Sequence, residues 1–161
     1  MTVGFGFDTH RLVAGRPLIL GGVRFEEAEL GLDGHSDADV LTHAVIDAIL
    51  GAAGLGDIGD HFPDTDSAYK DADSIGLLER VLQDIGAEGL RVVHVDTTVA
   101  MERPKIGPRK REIRERLAAV MGLDPRHVNV KATTGERMGF VGRGEGVAAY
   151  AVATLAGPPS A

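Results

Sequence analysis

Three stretches of this chain, residues 1–7, 91–99 and 147–155, read as strands with apolar side chains on both faces. Successive side chains of a strand point to opposite sides, so a sheet of such strands needs cover above and below. The sequence offers three amphipathic helices, at about residues 36–50, 71–85 and 108–121, enough for one face. An uncovered apolar face is an interaction surface by default. The expected architecture is therefore α+β, a mixed β-sheet with helices packed on one face and the opposite face buried against another subunit. A chain of 161 residues supports one hydrophobic core and is short for two. We expect a single domain over residues 1–156 and a disordered tail at 157–161, Gly-Pro-Pro-Ser-Ala.

The first helix carries its own start signal, since Ser36 and Asp39 have capping-box spacing. Val40, Leu41, Ala44, Val45, Ala48 and Ile49 recur at helical spacing behind it, and Asp39, His43 and Asp47 fall along a different face. The helix is expected to run out at Gly51 or Gly54. In the second helix Ile75, Leu78, Val81, Leu82 and Ile85 point inward and Gly86 ends it. In the third, Ile113, Leu117, Val120 and Met121 are inward, and the charge run from Arg109 to Arg116 reads as the solvated face. Strand 1–7 ends at Asp8-Thr-His10, and Gly21-Gly22 between two apolar runs signals a hairpin. Residues 56–66 are polar and punctuated, hence a loop. Val93, Val95, Thr97 and Val99 share one face of the strand at 91–99. Strands at 127–133 and 147–155 bracket a glycine-rich loop.

Composition removes several functions. A net charge of −7, with 4% aromatic residues and no Trp, argues against nucleic-acid binding, which needs a basic footprint and stacking surfaces. The absence of cysteine excludes disulfides, thiolate metal sites and a cysteine nucleophile. No apolar run approaches the roughly 20 residues that cross a bilayer, and the N-terminus lacks a signal-peptide layout. A cytoplasmic protein without membrane partners is the expectation.

Asp8 and His10, at i and i+2, share a strand face; with His43 they form a two-histidine, one-carboxylate metal set. Three protein ligands leave one tetrahedral position open, which marks a catalytic zinc site, and the same set suits ferrous iron. A histidine among apolar helix neighbours is also often a core residue satisfied by hydrogen bonds. Asp47 reads either as the group that orients His43 or as a solvated aspartate. His35 and Ser36 stand just before the first helical turn, where free N–H groups favour phosphate. Lys131-Ala-Thr-Thr-Gly-Glu136 closes a strand with hydroxyls for phosphate oxygens and a carboxylate suited to Mg²⁺. His61, His94 and His127 have no partner pattern and read as structural or surface residues.

Six stretches in order carry a resemblance across residues 2–156. They are Gly-Phe-Asp8-Thr-His10, Gly-His35-Ser36-Asp-Ala-Asp-Val, Leu-Gly-Asp57-Ile-Gly59 with Phe62-Pro-Asp-Thr-Asp66, Arg-Pro104-Lys105, Val-Lys131-Ala-Thr-Thr134-Gly-Glu136, and Gly-Phe140-Val-Gly-Arg143-Gly-Glu-Gly. The chain resembles the 2-C-methyl-D-erythritol 2,4-cyclodiphosphate synthases of non-mevalonate isoprenoid biosynthesis. The resemblance implies Zn²⁺ on Asp8, His10 and His43, and a second divalent ion, Mg²⁺ or Mn²⁺, between the two phosphates of a cytidine diphosphate group and held by Glu136. It implies that His35 and Thr134 stabilise the transition state. Asp8, His10, His35 and Ser36 would contact substrate, with Asp57, Ile58 and Gly59 at the ribose side. Phe62, Pro63, Asp64, Thr65 and Asp66 would close over the erythritol. Met101, Pro104, Lys105, Ile106 and Gly107, with Thr133, Thr134 and Gly135, would hold the cytidine end, while Phe140 and Arg143 line the substrate or a central channel. Two departures stand out: Met101-Glu102-Arg103 replaces smaller residues before the Pro-Lys, and Gly135 replaces a common Thr.

The implied reaction is attack of the substrate's own 2-phosphate on the β-phosphate of 4-diphosphocytidyl-2-C-methyl-D-erythritol 2-phosphate, releasing CMP, in a homotrimer with active sites between subunits. In enzyme classes this is a phosphorus-oxygen lyase. A metal-dependent nucleotide pyrophosphohydrolase and a non-enzymatic, zinc-clipped prenyl- or phosphate-binding module are the alternatives.

Overall fold

In the computed structural model, residues 1–157 are described, so the expected tail lies outside them except for Gly157. Five strands form one mixed sheet in the order β4-β1-β7-β5-β6. These are β1 (Thr2–Val13), β4 (Gly31–Leu32), β5 (Arg91–Ala100), β6 (Val128–Thr133) and β7 (Gly146–Ala156). All neighbours pair antiparallel except β5 and β6, and that parallel pair is joined through helix α4 (Lys110–Met121), the crossover such pairs require. The expected hairpin forms apart from this sheet, as β2 (Ile19–Leu20) and β3 (Val23–Arg24). The two-residue β4 had no sequence signature.

Helix α1 (Val40–Ala53) lies directly on the backbone of β1. It fits there because Gly4 and Gly6 present no side chain. A Cβ on Gly6 would stand 1.9 Å from the Ala44 carbonyl oxygen, and one on Gly4 2.0 Å from that of Ala48. With the sheet on one side and helix α3 (Ser74–Ala87) on another, α1 is buried almost all round, and Leu41, Val45, Ile46 and Ile49 have no exposed surface. Inward residues of β5 are Val92, Val95, Thr97 and Val99. A bulge between Val92 and His94 shifts the alternation and takes Val93 out of the set expected for that face.

The start of α1 differs from the sequence reading. Asp39 is the N-cap, its side chain accepting from the Thr42 N–H, so the helix begins at Val40 and Ser36 lies outside it. Asp39 is wholly buried because its carboxylate also takes the N–H groups of Gly21 and Gly22, at 2.9 and 2.7 Å. It clips the hairpin to the helix and does not share a face with His43. Gly54, in the left-handed region, closes the helix. Helix α3 begins at Ser74 behind the N-cap Asp73 and runs one residue past Gly86. The stretch read as a loop contains one turn, α2 (Ile58–His61), with a full capping box between Asp57 and Asp60. Arg109, placed by sequence on a solvated face, instead stacks on Phe25 at 4.7 Å, while Arg111 and Glu115 do form an exposed pair. The helices pack on one sheet face, as expected. The other exposes Val3, Phe5 and Phe7 of β1 and Tyr150 and Val152 of β7, and turns polar toward β6, where Lys131 pairs with Asp96 at 2.6 Å.

Candidate active site

Strand alternation puts Asp8 and His10 on the helix-covered face of β1, beyond the two glycines that let α1 approach, and α1 brings His43 to them. The three ligand atoms form a tight triangle. Asp8 Oδ2 is 3.0 Å from His10 Nε2 and 3.0 Å from His43 Nδ1, and the two nitrogens are 3.2 Å apart. A tetrahedral ion with bonds of about 2.0–2.1 Å separates its ligand atoms by about 3.3 Å. The triangle has that size, so these residues fit a divalent cation. Among the described residues this is the one group of three or more such side chains with converging ligand atoms.

The remaining polar atom of each ligand is engaged. Asp8 Oδ1 accepts from the Thr9 N–H at 2.8 Å. His10 Nδ1 donates to the Asp33 carbonyl at 2.6 Å, which leaves Nε2 as its ligand atom. The Nε2 atom of His43 lies 2.8 Å from Ser74 Oγ and 3.2 Å from Ser36 Oγ. Asp47 does not orient His43: its Oδ1 accepts from the Ile58 N–H at 2.8 Å, tying α2 to α1. Burial alone would raise the Asp8 pKa, but the imidazoles of His10 and His43 beside it outweigh burial and hold the carboxyl at about 2. For His10, burial favours the neutral ring; the Asp8 carboxylate and the Asp33 carbonyl overcome it and raise the pKa.

The cluster opens into a cleft of about 490 Å³ lined by Asp8, His10, His35, Ser36, His43, Ile58, Gly59, Phe62, Pro63 and Asp64. His35 and Ser36 reach it from an irregular segment, not from a helix N-terminus as expected. Arg16 holds that segment by donating to the carbonyls of Leu32, Gly34 and Ser36. His35 Nε2 donates to the Asp66 carbonyl at 3.1 Å, joining it to the 62–66 turn. Asp57 stands beside the cleft as the α2 cap, and Thr65 and Asp66 are exposed.

The other expected contacts gather elsewhere. Pro104, Lys105 and Arg143 line a second cleft of about 770 Å³ with Glu102 and Arg137. Met101 and Ile106 are buried, so only their backbones can meet a ligand. The Met101 N–H donates to the Thr133 carbonyl, and Gly107 opens a 3₁₀ turn. Glu102, in the departing tripeptide, accepts the Gly135 N–H at 2.7 Å and ties the two segments together. A Cβ at Gly135 would lie 2.5 Å from the Gly142 nitrogen, which explains glycine there. Thr134 Oγ1 donates to Glu136 Oε1 at 3.0 Å, and Glu136 holds a left-handed φ of 51°. Phe140 is partly exposed on α5 (Gly139–Gly142). The register Thr9↔Ala148↔Ala100↔Thr133 puts three strand spacings, about 14 Å, between the β1 cluster and the β6 end. One chain therefore does not bring the two groups together.

Sequence reasoning missed Ser74, Arg16 and Glu102. Glu102 entered the sequence reading only as part of the Met101-Glu102-Arg103 departure, and nothing local ties Ser74 to His43, 31 positions away.

The fold and cluster define a class: a single-domain α+β protein whose candidate three-ligand cation site keeps an open side on a cleft, the arrangement expected of catalytic rather than structural metal sites. Comparison with known proteins makes the assignment specific. The model of the YgbB family matches residues 1–156. The 2-C-methyl-D-erythritol 2,4-cyclodiphosphate synthase of Symbiobacterium thermophilum is 61% identical over 157 residues, covering 98% of this chain and 99% of that one. Among solved structures, the bifunctional IspDF of Campylobacter jejuni superposes with a TM-score of 0.91 at 43% identity, over 96% of this chain and 42% of that one. A 2C-methyl-D-erythritol-2,4-cyclodiphosphate synthase in a CDP-bound form gives 0.88 at 34% identity, over 96% and 99% of the two chains. This chain belongs to the YgbB family, that of the 2-C-methyl-D-erythritol 2,4-cyclodiphosphate synthases.

Proposed function

We propose that the protein converts 4-diphosphocytidyl-2-C-methyl-D-erythritol 2-phosphate to 2-C-methyl-D-erythritol 2,4-cyclodiphosphate and CMP, in the cytoplasm, as a metal-dependent phosphorus-oxygen lyase. The observation that carries the proposal is the Asp8–His10–His43 triangle, open to a cleft, in a chain of this family. An oxygen of the 2-phosphate bonds to the β-phosphorus as the bond from that phosphorus to the bridging oxygen breaks, and CMP leaves with the electron pair. The attacking phosphate is already anionic, so no general base is required. Positioning and charge neutralisation are then the protein's contribution.

Asp8, His10 and His43 would hold Zn²⁺, and Glu136 a Mg²⁺ or Mn²⁺ shared with the substrate phosphates; when bound, such ions supply Lewis-acid polarisation of phosphate oxygens. His35 and Thr134 would donate to charge developing on the phosphates. Asp57, Ile58 and Gly59 would bind the ribose side, the 62–66 turn would cover the erythritol, and the backbone of 101–107 with Lys105 and Thr133 would hold cytidine. The separation of these groups within one chain and the bare apolar sheet face both support a homotrimer whose sites form between subunits, with Phe140 and Arg143 near its channel. The test is incubation of the protein with this substrate and Mg²⁺, followed by ³¹P NMR. The proposal expects a cyclic diphosphate and CMP; a linear bisphosphate with CMP would instead make the protein a pyrophosphohydrolase, and unchanged substrate a binding module.

A further inference from the structure

Ser74 and Asp37 take no part in the ligand triangle or the substrate cleft as described, yet both are committed to His43. Ser74 is the first residue of α3 and is fully buried. Its Oγ donates to Asp37 Oδ1 in a short contact, and its N–H donates to Asp37 Oδ2 at 3.0 Å. A carboxylate only accepts, so the Ser74 hydroxyl proton belongs to Asp37. The lone pairs of Ser74 Oγ are then the acceptor facing His43 Nε2 at 2.8 Å. Ser36, the other hydroxyl near Nε2, is farther at 3.2 Å, and its oxygen already accepts from the Ala38 N–H.

We infer that Asp37 and Ser74 are positioning residues for the metal centre: Asp37 makes Ser74 an acceptor, and Ser74 thereby keeps the ring proton of His43 on Nε2. The lone pair of Nδ1 is then left pointing at Asp8 and His10, where a cation needs it. Were Ser74 free to donate, the ring could carry its proton on Nδ1 against Asp8 Oδ2, 3.0 Å away, and the ligand position would be blocked. Partners of this kind hold a metal-bound histidine in one tautomer and orientation. The segment is braced for this role. The Asp37 N–H donates to the Ala72 carbonyl and the Asp71 N–H to the His35 carbonyl, so the residues around the Asp37–Ser74 pair are joined on both sides of it.

This inference rests on the reading of Asp8, His10 and His43 as a zinc site, and the test separates the two. Zinc affinity is measured by chelator competition for the wild type, Ser74→Ala and Asp37→Asn, and the His43 tautomer is read in the metal-free proteins by long-range ¹H–¹⁵N NMR. Each substitution is expected to weaken zinc binding by about 10- to 100-fold. In Asp37→Asn the side-chain amide can donate to Ser74 Oγ, so the share of His43 protonated on Nδ1 should rise, a change that lost packing alone would not produce. Asp37→Asn keeps nearly the same shape and so serves should Ser74→Ala fail to fold. Wild-type protein that binds zinc, with Asp37→Asn equal to it in affinity and tautomer, overturns this inference alone. Wild-type protein that binds no zinc overturns the metal reading and this inference with it.

Discussion

Asp8, His10 and His43 each have one polar atom aimed at the others and a second one occupied by the fold. Proton occupancy of the cluster follows from their pKa shifts. The Asp8 pKa is lowered from 3.8 to about 2, so its contribution to metal-free stability is present above about pH 4 and is lost as pH falls toward 2. His10 is raised above 6.5; its contribution is complete below 6.5 and is lost as pH rises through the raised value. A cation must displace the His10 proton. Zinc affinity should therefore climb by about tenfold per pH unit below the His10 pKa and level off above it. Chelator competition from about pH 5.5 to about pH 8.5 measures this, and an affinity flat across that range would contradict it. Glu136 differs, as a single exposed carboxylate tied to Thr134 with no converging ligand. Its ion should be weakly held, so Glu136→Gln should lower turnover and raise the Mg²⁺ concentration needed while leaving bound zinc unchanged. Loss of zinc in that variant, by elemental analysis, would mean that the two sites are not separate.

The contact of α1 with β1 sets the position of His43, and it depends on glycine at 4 and 6. A methyl group at Gly6 would meet backbone 1.9 Å away, which a side-chain rotation cannot relieve. Overpacking of this kind typically costs about 1–3 kcal/mol, occasionally more, and Gly6→Ala should reach or exceed the upper end. It should also weaken zinc binding, because α1 must shift and take His43 with it. Denaturant unfolding within about 0.5 kcal/mol of wild type would show that the close approach is not needed. At this scale the sequence was legible where periodicity and punctuation agreed. The three long helices, the hairpin at Gly21-Gly22 and the side shared by Asp8 and His10 were all readable, while the convergence of His43 on that pair stayed open from the residues alone and was implied by the family resemblance. It failed where a tertiary partner decides. Asp39 displaced Ser36 as the cap because the hairpin brings two N–H groups to its carboxylate. Asp47 was claimed by the Ile58 N–H across an irregular turn, and Ser74 reaches His43 only through the docking of α3. The bulge in β5 that exchanges Val93 for Val92 has no local sequence mark.

One chain carries both halves of the proposed site but keeps them apart. The Asp8–His10–His43 cluster lies on the helix-covered face of β1, while Thr133 ends β6 three strands away. The opposite face exposes Val3, Phe5, Phe7, Tyr150 and Val152. A self-closing assembly covers such a patch without leaving an open end, and the proposed trimer would set the metal half of one subunit against the cytidine half of the next. Subunit exchange tests this account most directly. His43→Ala lacks a metal ligand, Lys105→Ala lacks a cation of the cytidine half, and each should be inactive or nearly so as a pure protein. The two are mixed under conditions that exchange subunits, mixed trimers are verified by native mass spectrometry, and the cyclic diphosphate is followed by ³¹P NMR. The account predicts that the cyclic product returns in the mixture to a substantial fraction of the wild-type rate, because some interfaces then pair two intact halves. Mixed trimers that form and make no more cyclic product than the separate variants, or a protein that stays monomeric, would contradict it.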